Sequence, residues 1–276
     1  MIQTQILSRL NELPRLSKVL QDLLDLVNKE DIDFKQLSQK MELEQILSAR
    51  LLRMANSAYF GGQRDVHSVS DALIRVGMES VRTLVVASVL SNTFADIETL
   101  DLDEYWTNTF ETALITKNIA AQIGIDTSEA FTTGVLHDIG ELMIHSLLPE
   151  QAKVIHERVK AGENAIWVEE EVLGVSSPRL GAMLAKSWKF PEEMVDAIGH
   201  FDDPIQAKIS PKLAYALHFS RDINRYWDEM NDEKQRVVFI ADHPDSKILK
   251  LSATFQEKVD SVRGSGKELA QQMMAP

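Results

Sequence analysis

The sequence predicts an all-α protein. Apolar residues recur three and four positions apart along most of its 276 residues. Glycine (12) and proline (8) are scarce, and no segment alternates apolar and polar residues with the period of two that a half-buried strand needs. Composition adds limits: a chain of this length can bury a large core without cross-links, and it contains no cysteine. That removes thiolate nucleophiles, thiolate zinc sites and iron–sulfur clusters, and fits a reducing compartment. With 29 basic and 42 acidic residues the net charge is −13, which repels phosphate backbones at long range and makes nucleic acid a poor expected partner.

The elements follow in order. Leu16, Val19, Leu20, Leu23, Leu24 and Val27 form an apolar stripe starting just after Pro14. A short helix is expected from about Asp33 through Leu37 and Met41, and another over Leu43 to Asn56. Ser68, with Asp71 three residues on, reads as a cap opening a helix through Val76 that Gly77 ends. A long apolar helix then covers about Met78 to Phe94. The polar stretch Ala95 to Asp103 is expected to form the boundary between subdomains. Beyond it come a helix over Trp106 to Gln122 and another, capped by Asp126 and Glu129, running through Phe131, Val135, Ile139, Leu142 and Met143. Further helices are expected near 149–161, 165–173, 177–188, 191–199 and 208–229. Asp245 to Val262 predicts another, and Arg263-Gly-Ser-Gly266 a flexible break before a short tail. The expected division is therefore 1–100, 101–240 and 241–276. The N-terminus lacks a cationic segment followed by an apolar stretch, so no signal peptide is expected. Nor is any apolar window near the roughly 20 residues that span a bilayer. A soluble, cytoplasmic protein with no membrane partner is the expectation.

Chemistry concentrates in one heptapeptide, Gly134-Val-Leu-His137-Asp138-Ile-Gly140. A His–Asp pair can help to bind a metal that activates water for phosphoester hydrolysis, provided that other ligands converge on it. The segment resembles the metal-binding helix of the HD phosphohydrolase superfamily. A more specific resemblance is to the HDOD family, the HD-related output domain, over roughly residues 10–230. It is carried by Leu13-Pro14, by Leu47-Ser-Ala-Arg50-Leu-Leu-Arg53-Met-Ala-Asn56-Ser57-Ala-Tyr59-Phe60 and by Ala72-Leu-Ile-Arg-Val-Gly77. Trp106, Leu173-Gly174 and the run from Gly181 through Trp188 to Pro191 continue it. The resemblance implies a multi-helical, HD-like bundle in the C-terminal half and a helical subdomain of the HDOD unit before it. It also implies bacterial signal transduction.

The HD pattern implies a histidine, then His-Asp, then a distant aspartate, often with added histidines. Carried onto this chain, His137 and Asp138 match, while Asn108, Ser177, Phe201 and Arg221 stand where other ligands are expected. Asparagine and serine are poor ligands, phenylalanine is none, and arginine opposes a divalent cation. Glu141 stands where metal-active relatives often have lysine. The metal candidates are therefore His137 and Asp138, a degenerate set, with no catalytic residue assigned and no cofactor expected beyond the option of a divalent ion. A relict pocket would be lined by Asn108, His137, Asp138, Ser177, His200, Asp202 and Arg221, and Asp222 lies beside it in sequence. His145 reads as a hydrogen-bonded core or rim residue.

Three functions follow. The first is a non-catalytic regulatory module that contacts a sensor kinase, a response regulator or a cyclic-dinucleotide enzyme. The second is a metal-dependent phosphohydrolase acting on a nucleotide or cyclic nucleotide. The third is a DNA-binding regulator using the helix pair 33–56 with Lys35, Lys40, Arg50 and Arg53. Ligand count favours the first.

Overall fold

A computed structural model describes residues 18–27, 32–57, 60, 65–94, 97–230, 232–252 and 254–274. Leu13, Pro14 and Tyr59 of the family pattern lie outside them. The described residues form helices and turns, with no strand among them. The chain separates into two compact units, one of residues 12–95 with 268–276 and the other built mainly from residues 96–267.

In the first unit, α1 (Lys18–Val27), α2 (Phe34–Glu42), α3 (Gln45–Ala55), α4 (Val69–Val76) and α5 (Met78–Thr93) enclose a core that includes Leu23, Leu37, Met41, Leu51, Met54, Leu73 and Leu84. Asp33 caps α2 by accepting from the amides of Lys35 and Gln36, and Ser68 caps α4 by accepting from the amide of Asp71. Each cap satisfies donors that the first helical turn leaves unpaired. Helix α5 is buried on nearly all sides from Thr83 to Leu90, which is why its apolar residues show no one-sided stripe.

Arg50 on α3 is buried. Its guanidinium donates to Ser88 Oγ at 3.1 Å, to Ser91 Oγ at 3.2 Å and to the Met274 carbonyl at 3.1 Å, while Arg53 donates to the Gln272 carbonyl at 3.2 Å. The basic residues expected to face DNA thus include one spent inside the fold and a second bonded to backbone. Both act on the last-turn carbonyls of a helix, where the sequence predicts only a flexible tail.

The second unit is built around α6 (Leu102–Ile123), which packs on α7 (Thr127–Leu136) and on α13 (Pro211–Tyr226). Helix α8 (Ile139–Leu147) packs on α11 (Ser177–Ser187), α11 on α12 (Glu192–His200), and α12 on α13. Helices α9 (Pro149–Lys160) and α10 (Ala165–Leu173) pair with each other, and α9 also packs on α8. Behind α6 and α13 lie α14 (Glu233–Asp242), α15 (Pro244–Leu249) and α16 (Phe255–Val262). Their Ile240, Leu249, Phe255 and Val259 close over Ile115, Phe219 and Trp227.

Four expectations are corrected. The helix expected over 126–143 is two helices, α7 and α8, broken at His137–Asp138. The helix expected over 245–262 is also two, and α14 precedes them where none was predicted. Arg263–Gly266 is not a flexible break. The amides of Gly264 and Gly266 donate to the buried Glu111 carboxylate at 2.8 and 2.7 Å, and α17 (Ser265–Met274) starts there. Finally, residues 241–276 do not stand apart as a segment, since 241–267 belong to the second unit and 268–276 to the first.

Candidate functional site

The His137–Asp138 pair occupies the non-helical step between α7 and α8, held tight by packing on both sides. A Cβ built on Gly134 would come within 2.5 Å of Ala113 Cα on α6, and one on Gly140 within 1.9 Å of the Ser177 carbonyl oxygen on α11. The glycines that frame the motif therefore set how closely helices approach, and they present no phosphate-cradling loop.

His137 is buried. Its Nδ1 lies 2.6 Å from the Gly134 carbonyl oxygen, and its Nε2 lies 2.8 Å from Asp138 Oδ2. A carbonyl oxygen only accepts, so Nδ1 donates there. That bond fixes the ring so that Nε2 faces the Asp138 carboxylate. The ring also meets Phe201 edge-on, with centroids 5.6 Å apart.

Asp138 divides its oxygens, Oδ2 toward His137 and Oδ1 toward the Arg221 guanidinium at 3.8 Å. Arg221, 40% exposed, lies over the Phe201 ring with Cζ 4.6 Å from its centroid. Burial alone would push the Asp138 carboxyl up, but the charges of His137 and Arg221 and the His137 hydrogen bond hold it well below the usual carboxylate range. Burial has the opposite outcome at two neighbours. It pushes Glu141 up to about 8, aided by the Asp138 charge, and Glu169 up to about 7 against two hydrogen bonds from Ser177. The buried Tyr105 phenol is also raised, by burial and then by Asp138 and Glu141.

Of the seven residues expected to line a relict pocket, the structure brings His137, Asp138 and Arg221 together, with Phe201 between them. Burial raises the Asp202 carboxyl, and Arg179 and Arg221 lie near enough to moderate it. Ser177 instead donates its amide (2.6 Å) and hydroxyl (3.0 Å) to Glu169. His200 bonds through Nδ1 to the carbonyl oxygen of Asp196 and pairs with its carboxylate, at 2.9 and 3.2 Å. Asn108 is exposed on α6, and its carbonyl accepts from Asn224. His145 meets Thr99 Oγ1 at 2.8 Å, as a rim residue should.

Glu169 and Tyr105 are not foreseen from sequence. Glu169 carries a faint signal, a carboxylate beside Val168 and four residues before Leu173, both of them buried. Equally unforeseen is a paired network on α13 and α15. His218 Nδ1 hydrogen-bonds the buried Asp245, whose carboxylate holds that imidazole above its usual range. Asp222 pairs with His243 Nε2 at 3.1 Å and so is engaged away from Asp138.

Among the described residues, no three histidine, aspartate or glutamate side chains are arranged to hold a metal ion. The donor chemistry agrees. The groups standing against His137 and Asp138 are the Phe201 ring and the Arg221 guanidinium, and neither can ligate a cation. These residues do not fit a divalent metal.

The family model for the HDOD domain matches residues 13–204. The chain superposes on a candidate phosphohydrolase from Shewanella amazonensis SB2B with TM-score 0.86 and 38% identity, covering 97% of each chain. An HDOD domain protein of unknown function from Geobacter sulfurreducens shares the fold at TM-score 0.81 and 20% identity, covering 100% of this chain and 98% of that one. A candidate signal transduction protein from Marinobacter aquaeolei VT8 gives TM-score 0.69 at 20% identity, with 96% of this chain covering 60% of that one. An uncharacterized protein of Treponema pallidum (strain Nichols) is 24% identical over 208 residues, which is 71% of this chain but 40% of that protein. The chain thus spans well under half the length of that relative.

Proposed function

The chain belongs to the HDOD family, and on that premise we propose that it is a non-catalytic signalling module acting through protein–protein contacts. One observation carries the reading: the Asp138 carboxylate faces the Arg221 guanidinium at 3.8 Å, and that guanidinium lies over the Phe201 ring, where further metal donors would be needed. Water activation needs a metal with an open coordination position, and among the described residues no third histidine, aspartate or glutamate joins His137 and Asp138 to hold one. The partner class is a signalling protein: a sensor kinase, a response regulator or a cyclic-dinucleotide enzyme. The compartment is a bacterial cytoplasm, in keeping with a chain free of cysteine and a described structure in which no helix is long and apolar enough to cross a membrane.

The test is elemental analysis of purified protein together with a phosphodiesterase and phosphomonoesterase panel containing added Mn²⁺. The expected result is no stoichiometric metal and no turnover. Bound metal with turnover that Asp138→Ala abolishes would overturn the proposal. It would favour the second reading, a metal-dependent phosphohydrolase, which has in its support the 38% identical candidate phosphohydrolase. A pull-down from the native host is expected to return one of the named signalling partners reproducibly, and its failure counts against the contact-based reading.

A further inference from the structure

We infer that the Arg221 guanidinium is the resident cation of the His137–Asp138 site, a side chain that supplies the positive charge Asp138 needs and leaves the turn between α7 and α8 independent of any bound metal. The inference rests on the non-catalytic reading above and goes beyond it, since absence of catalysis does not by itself say what neutralises the site.

The geometry is a closed circuit. Asp138 Oδ2 meets His137 Nε2 at 2.8 Å, Asp138 Oδ1 faces Arg221 at 3.8 Å, Arg221 lies 4.6 Å above the Phe201 ring, and that ring returns to His137 at 5.6 Å. Phe201, at the C-terminal cap of α12, has its ring between the imidazole on one side and the guanidinium on another. A guanidinium suits that position because it is planar, permanently charged and weakly hydrated, so it can lie on an aromatic face and still address a carboxylate. A hydrated divalent ion would need oxygen or nitrogen donors where the Phe201 ring stands.

An exogenous anion is a poor occupant, because the guanidinium already faces the Asp138 carboxylate at 3.8 Å and lies over the Phe201 ring. Without Arg221 the Asp138 carboxylate would keep His137 as its remaining ion-pair partner, a deficit that a metal ion can relieve. The inference therefore predicts that metal indifference is a property of residue 221.

Thermal unfolding of the full chain, in EDTA and in millimolar MnCl₂, tests this with wild type, Arg221→Met, Arg221→Lys and the double variant Asp138→Asn/Arg221→Met. Methionine keeps the apolar stem over Phe201 and removes only the charge. Wild type and Arg221→Lys are expected to unfold at the same temperature in both buffers. Arg221→Met is expected to lose about 2–6 °C in EDTA and to recover part of that in Mn²⁺, with the recovery absent in the double variant. Arg221→Gln is the second neutral variant should methionine prevent folding. An uncharged variant as stable as wild type and indifferent to Mn²⁺ overturns the inference while leaving the non-catalytic reading intact. A wild-type protein that Mn²⁺ itself stabilises through Asp138 overturns both.

Discussion

Gly140 shows how the motif is constrained residue by residue. A methyl group there would overlap the Ser177 carbonyl oxygen at 1.9 Å and the Ser177 carbonyl carbon at 2.6 Å, both backbone atoms of the facing helix. Backbone cannot rotate aside as a flexible side chain can, so Gly140→Ala must push α8 away from α11. It is expected to lose about 3 kcal/mol or more, or to fail to fold, read by urea denaturation. The control is Ile139→Val, next to it and buried, which should cost only about 0.5–1.5 kcal/mol. The sequence makes these glycines visible without saying what they do, because a glycine packed against a backbone and a glycine turned toward a ligand read identically in one dimension. The same limit applies at Ser177. A poor metal ligand can be recognised from its chemistry, but its true partner, Glu169, lies eight residues back across a turn and is bonded through both the amide and the hydroxyl of Ser177.

Whole helices are legible where periodicity and caps agree. Asp33, Ser68, Asp126 and Asn164 each accept from an amide two or three residues on, and the helices begin behind them, whereas α6, capped by Asp101, starts at Leu102, four residues before the expected Trp106. The break at 137–138 is hidden because the apolar spacing of Phe131, Val135, Ile139, Leu142 and Met143 runs straight through it, with neither glycine nor proline at the break itself. What accompanies the break is a local bond from the His137 ring to the Gly134 carbonyl in the last turn of α7, and tertiary contacts of His137 with Phe201 and of Asp138 with Arg221. The start of α17 is hidden for a related reason, since Gly-Ser-Gly reads as flexible unless a distant acceptor waits for its amides. Glu111, near the middle of α6, is that acceptor, and Arg263 pairs with it at 3.4 Å. Glu111→Gln keeps the shape but sets an NH₂ donor against an amide donor and leaves Arg263 without its buried carboxylate. The expected cost is about 2–3 kcal/mol, with faster amide exchange at residues 264–267. Unchanged exchange there would mean that the turn is held by other contacts.

On the scale of the molecule, the raised groups of the second unit all pull stability the same way with pH. Burial holds Glu141 near 8 and Glu169 near 7, above the value of about 4.3 expected for an unfolded chain, and the Asp245 hydrogen bond raises His218 above its usual range. A group whose folded pKa is raised binds its proton more tightly when folded. Its contribution is complete below the unfolded pKa and is lost as pH rises through the folded one. For the two glutamates that window runs from about pH 4.5 to about 8, and for His218 it starts near 6.5 and extends upward. Asp138 and Asp222 are lowered and act in reverse, but only in acid, while His145, lowered by burial, offsets part of the trend below about pH 6.5. The net charge of −13 adds to the same trend, because protonation between about pH 8 and 5.5 relieves repulsion. The unfolding temperature is therefore expected to rise as pH falls from about 8.5 to about 5.5 and to turn over only in stronger acid, where Asp138 and Asp222 protonate. Glu141→Gln isolates the most strongly raised of these carboxyls: the variant should be more stable than wild type at about pH 8 by about 1–2 kcal/mol, should lose that advantage near pH 5, and should show a flatter profile between. Scanning calorimetry across the pH series measures both curves. A wild-type profile that rises toward pH 8.5, or a Glu141→Gln profile parallel to wild type, would mean that these carboxyls are ionised at little cost inside the fold.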